Sequence, residues 1–110
     1  MLDPIASQLE RYMDLLSVRQ KLVASNIANA DTPGYKTQDL NFQFEYFSLT
    51  QGAEPNVINA EGLKTKNDGN NVDMDRETRL LSENAIRFNI ASTLLKSQIR
   101  QLRTAVQEGK

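Results

Sequence analysis

The sequence predicts a mainly α-helical chain, in which long N- and C-terminal helices pair as a coiled coil around a short middle segment of irregular chain and β-hairpin. The prediction rests on spacing at both ends of the chain. Leu2, Leu9, Leu16 and Val23 recur every seven residues, with Ile5 and Tyr12 between them, as an a/d seam requires. Met74, Thr78, Leu81, Ala85, Phe88, Ser92, Leu95, Ile99, Leu102 and Val106 follow one another alternately by four and three without a break. Between the two series, recurring Pro, Gly, Asn and Asp make the chain turn-rich.

A chain of 110 residues fits a single domain, 1–110. It divides into an N-terminal helix (1–30), a segment of turns, short strands and loops (31–72), and a C-terminal helix (73–110). Asp3 and Pro4 suit the N-cap and first position of the first helix, which would run from about Asp3 to Asn29. Its seam turns polar at Arg19 and Asn26, while Met13, Leu15, Leu22 and Ile27 widen the apolar stripe on its flanks. Pro33 ends the helix by removing an N–H and disfavouring helical geometry at Thr32. Pro33-Gly34 then suits the centre of a type II turn, where glycine accepts positive φ.

In the middle, Leu40, Phe42, Phe44 and Tyr46 alternate with polar residues, which favours a short strand with an aromatic face. A helical turn around Phe42–Leu49 is the alternative, because Phe47 and Leu49 break the alternation. Elements around Asn56–Ile58 and Leu63–Thr65 are expected to pair as a small hairpin, with Glu61-Gly62 near its turn. The run 67–71, Asn-Asp-Gly-Asn-Asn, is a loop. Asp73 is placed to cap the last helix, Asp75 and Glu77 put negative charge in its first turn, and Gly109 is placed to end it.

Composition narrows the function classes. There is no Cys, His or Trp, which removes the usual zinc ligands, the commonest general base and the thiol nucleophile. The net charge is −1 and the signs are mixed, so no basic face for nucleic acid is expected. No apolar run approaches the ~18 residues of a membrane span, and no Sec signal peptide is expected at the N-terminus. The oxygen-rich run 68–77 invites a calcium reading, but Gly69 stands second where an EF-hand loop needs glycine sixth; helix capping accounts for its acids without a metal. Gly34 and its neighbours lack the glycine spacing and the Lys-Ser/Thr of a phosphate loop. No catalytic, cofactor-binding or metal residue is assigned, and the expectation is not an enzyme.

The helices carry more apolar surface than a two-helix seam uses. Ile86, Ile90 and Leu94 form a second set on the last helix, with Ile90 opposite the main seam. Leu9, Leu16, Val23, Leu81, Phe88, Leu95, Ile99 and Leu102 are the candidates for helix packing, and Ile86, Ile90 and Leu94 for contacts between subunits. Either the middle folds back over the second face, or its residues are ordinary surface apolars, or neighbouring subunits bury it.

The string Ser25-Asn26-Ile27-Ala28-Asn29-Ala30-Asp31-Thr32-Pro33-Gly34-Tyr35 resembles the signature near the N-terminus of the flagellar rod and hook axial protein family. Asn71-Val72-Asp73-Met74-Asp75-Arg76-Glu77 resembles the proximal-rod members of that family. The resemblance implies a structural subunit of the proximal rod of the bacterial flagellar basal body. Such a subunit is exported by the flagellar type III apparatus without a cleaved Sec signal and polymerises in the periplasm through its terminal helices into the torque-transmitting shaft. The implied partners are the rod subunits FliE, FlgC and FlgF and copies of itself, with no cofactor, no nucleic acid and no membrane span of its own. The alternatives are another proximal rod subunit of the FlgC type, or a soluble coiled-coil adaptor or export chaperone.

Overall fold

The structure, a computed structural model, describes residues 4–48 and 54–109. Helix α1 spans Pro4–Ala28, strand β1 Gln38–Asp39, helix α2 Phe42–Phe47, strand β2 Ile58–Asn59 and helix α3 Met74–Glu108. The molecule is a rod of 68 × 26 × 18 Å; α3 supplies most of its length, its 35 residues reaching ~50 Å at ~1.5 Å each.

α1 and α3 pack antiparallel along their lengths. Asn26 meets Glu77, Gln20 meets Asn84, and Glu10 lines the same hollow as Leu95. Ala6, Leu15, Leu16 and Val23 of α1 are buried, as are Leu80 and Ala91 of α3. The middle segment covers one flank of the pair. There Tyr12 receives Phe42 and Tyr46 edge-on at centroid distances of 5.5 and 5.9 Å, and Arg11 donates to the Glu45 carbonyl.

Two expectations for the middle are corrected. Residues 42–47 form a helix and not a strand: Asn41 caps it by accepting from the Phe44 N–H, and the aromatics then reach Tyr12. The segment around Ile58 pairs antiparallel with β1, Gln38 opposite Asn59 and Asp39 opposite Ile58, and not with Leu63–Thr65. The chain leaving α1 runs extended beside Ile58 and offers it free backbone groups, which a local hairpin would not need.

The helix ends behave largely as expected. Tyr35 N–H donates to Thr32 C=O across Pro33-Gly34, and Gly34 has φ 78°, the geometry of a type II turn. Asp73 accepts from the N–H groups of Asp75 and Arg76. Gly109 caps α3 with ordinary right-handed φ, donating to Ala105 C=O, so its freedom at positive φ is not used. The expected Asp3 cap, and Leu2 and Leu49, lie outside the described residues.

Candidate functional site: a polar clasp at the helix junction

The two motifs singled out in the sequence are separated by the 35 residues 36–70 and meet at one end of the rod. The junction is built around Asn26, which is fully buried in the last turn of α1. Its amide is saturated. Nδ2 donates to Gln38 C=O at 2.9 Å and to Glu77 Oε1 at 2.6 Å, and Oδ1 accepts from Gln38 N–H at 3.0 Å and Tyr35 O–H at 2.9 Å. Towards Gln38 the side chain acts as an extra strand on the free edge of β1, which fixes the amide's orientation. Having donated to Asn26, the Tyr35 hydroxyl is left to accept from Ser25 Oγ at 3.3 Å.

Asn70 and Asn71 close the same junction from the other side. Asn70 is fully buried; Nδ2 bridges the carbonyls of Asn29 and Thr32, and Oδ1 accepts from Val72 N–H. It thereby satisfies carbonyls freed where α1 stops. Asn71 Oδ1 accepts from Thr37 N–H at 2.6 Å, and Thr37 Oγ1 donates back to Asn71 C=O. Asn29 Nδ2 donates to Ser25 C=O, and its Oδ1 accepts from Thr32 Oγ1.

A chain of charges crosses the junction. Arg19 of α1 holds Asp39 of β1 with two bonds, Nε to Oδ1 at 3.1 Å and Nη2 to Oδ2 at 2.9 Å. Arg76 of α3 bonds the same Asp39 through Nη2 and Glu77 through Nη1 at 2.6 Å. Two guanidinium groups and two carboxylates thus alternate across three elements. Burial works against the charge on Arg76, but Glu77 and then Asp39 more than offset it, so its pKa is raised and it stays protonated. No buried side-chain polar atom among the described residues lacks a partner. Buried pairs of this kind contribute little net stability, yet removal of one partner is costly because the other is left charged and dry. The clasp therefore specifies register and rotation between α1 and α3.

Rotation is where the sequence expectation for packing is corrected. Leu16 and Val23 are buried, Leu9 and Leu95 are half-buried, but Leu81, Phe88, Ile99 and Leu102 are exposed, Leu81 and Phe88 each at 38%. The inward face of α3 is Glu77, Leu80, Asn84 and Ala91, one residue out of phase with the predicted seam. Glu77 must point at Asn26 and Asn84 at Gln20, and those polar contacts turn the bulky stripe towards the open flank. Ile99 lies level with the first turn of α1, and Leu102 where α3 runs past the start of its described part. Ile86, Ile90 and Leu94 are all exposed.

Of the signature, Ser25, Asn26, Asn29, Thr32, Gly34 and Tyr35 enter the clasp or its turn; Ile27 and Ala30 are half-buried, and Ala28, Asp31 and Pro33 are exposed. Arg19, Thr37, Asp39 and Asn70 were not singled out from the sequence. The available signal was a seam that turns polar at Arg19 and again at Asn26, seven residues on. No group of His, Cys, Asp and Glu among the described residues could hold a metal.

The family model described as flagella basal body rod protein matches residues 13–36, the stretch that carries Arg19 and the whole signature from Ser25 to Tyr35. Three relatives are named flagellar basal body rod protein FlgB. The Buchnera aphidicola protein is 33% identical over 84% of this chain and 86% of its own length. The Salmonella typhimurium protein is 30% identical over 99% of each chain, and the Proteus mirabilis protein 28% identical over 99% of this chain and all of its own. The last two alignments run over 137 positions, more than this chain's 110 residues, so both relatives carry residues with no counterpart here.

Proposed function

The chain belongs to the FlgB family of flagellar basal body rod proteins, and from that premise we propose that it serves in the proximal rod by joining neighbours through both faces of α3. It is a structural subunit of the basal body rod and not an enzyme, and it assembles with other rod components. In this reading FliE lies on the base side, copies of the chain pack beside one another in the helical tube, and FlgC and FlgF follow. The chain reaches the periplasm through the flagellar type III apparatus without a cleaved signal, and the finished tube carries torque from motor to hook.

The observation that carries the reading is the bareness of α3. Ile86, Ile90 and Leu94 stand 59%, 55% and 51% exposed along one side, and Leu81, Phe88, Ile99, Leu102 and Val106 are exposed along another. Contiguous apolar surface of this extent marks an interaction site, and a helix with two such stripes needs partners on two sides, as a tube of packed helices supplies. The clasp fits the same role: it sets the rotation of α3, and so decides which side chains point outward.

The test is Ile90→Asp in cells that build rods from this chain. Because Ile90 is exposed, the monomer should keep its helicity and be exported at the parent level, while rod growth stops at this subunit. Normal rods from Ile90→Asp would remove the Ile86–Leu94 face from the assembly. The adaptor reading is separated by size: a rod subunit alone is a monomer, an adaptor a stable small oligomer.

A further inference from the structure

The flank of the α1–α3 pair not covered by the middle segment is open. Leu16, Ser17 and Phe88 help to line a hollow of ≈ 330 Å³, and Met13, Ser17, Phe88 and Leu95 one of ≈ 260 Å³. The two share Ser17 and Phe88, so they form one trough along the helix pair. Its rim on α1 carries two carboxylates, Glu10 and Asp14, both exposed.

The same chain carries a complementary knob. The pairings Asn26–Glu77 and Gln20–Asn84 set the antiparallel register, and continuing it brings Pro4 level with the turn containing Arg100. α3 therefore runs on beyond the described part of α1, and the whole of 99–109 is exposed. This overhang continues the apolar stripe with Ile99, Leu102 and Val106, and beside them stand Arg100 and Arg103. Between 96 and 108 the helix has three basic residues, Lys96 among them, against the single acid Glu108.

We propose that the overhang of α3 from one copy of the chain seats in the acidic-rimmed trough of the next, with Arg100 and Arg103 facing Glu10 and Asp14. The proposal rests on the rod-subunit reading and names one of its contacts. Apolar knob and apolar trough match in character, and the charges beside them are opposite in sign. Overhang against overhang would bring Arg100 and Arg103 of two copies together, which disfavours a closed symmetric dimer. Knob and socket lie on different parts of one chain, so each copy that gives its overhang to one neighbour keeps its trough for another, and the contact can repeat along a helical row.

The test uses whole rods and two exposed positions. Asp14→Lys and Arg103→Glu should each lower the fraction of exported chain found in rods by about tenfold, and the double variant should recover to within about threefold of the parent. All three should keep the parent's helicity. The chain has no cysteine, so a chain carrying both Asp14→Cys and Arg103→Cys adds a direct reading. Within one copy these positions are roughly 20 Å apart along the helix axis, too far for a disulfide, so any bridge joins two copies. Mild oxidation of isolated basal bodies should give a ladder of covalent oligomers of this chain. Rods that assemble without a ladder would overturn the contact and leave the rod-subunit reading standing. Single charge reversals that assemble at the parent level, or a double variant no better than the singles, overturn it equally.

Discussion

Replacing Asn26 tests whether the clasp or the apolar stripe holds α1 to α3. Asn26→Ala removes four hydrogen bonds from a fully buried site. Tyr35 is half-buried, so its hydroxyl recovers a water. Glu77 is fully buried and loses a 2.6 Å donor, and the Gln38 backbone loses its edge partner. Two groups left unsatisfied at about 1–3 kcal/mol each give a loss of about 3–4 kcal/mol, a large part of the roughly 5–15 kcal/mol expected for a domain. Asn26→Asp separates chemistry from shape. The side chain keeps its volume, but a carboxylate now faces Glu77 across 2.6 Å and a carbonyl at Gln38. At neutral pH the loss should match or exceed that of alanine. Urea unfolding followed by circular dichroism at pH 7 measures both losses. Losses under about 0.5 kcal/mol for both variants, the range of a surface change, would refute the clasp as the element that holds the pair.

Gly34→Val should cost about 1–3 kcal/mol through φ 78° alone, since a Cβ there meets nothing within 4 Å, and Gly34→Asn should cost clearly less; thermal unfolding distinguishes them. Asp39→Asn leaves Arg19 and Arg76 sharing a neutral partner, and should destabilise by about 3 kcal/mol in urea, with little response to added salt because the group is buried. Tyr12→Ala should free α2 from α1, raising hydrogen exchange across Phe42–Phe47 at least tenfold while α3 near Asn84 keeps its protection; uniform loss of protection would mean α2 is not a separate unit. Leu80→Ala should cost more than Leu81→Ala by about 1–2 kcal/mol, because Leu80 is buried and Leu81 is not, and the reverse order would restore the seam read from heptad spacing.

The sequence by itself determined that this chain is two long helices joined by a turn-rich segment, because that information is local. Heptad spacing, Asp73 before Met74 and Pro33-Gly34 after Thr32 each act within a few residues, and each produced the element expected of it. The signature and the Asn71–Glu77 run were legible as family marks, and the relatives named FlgB confirm the family they marked. Residues 42–47 went to the alternative reading since alternation in so short a run fits strand and helix alike, and the Asn41 cap with the Tyr12 contact decided between them. Only the tertiary structure decided which way α3 faces. Hydrophobic periodicity locates an apolar stripe but is silent on its partner, and it counts Glu77 and Asn84 as surface. Brought together from positions 51 and 64 residues apart in sequence, Asn26 with Glu77 and Gln20 with Asn84 bond each other between the helices, the first pair fully buried, and an unpaired polar group there costs more than a half-exposed leucine. So the polar pairs took the interior, and the stripe that spacing assigned to the seam was turned outward.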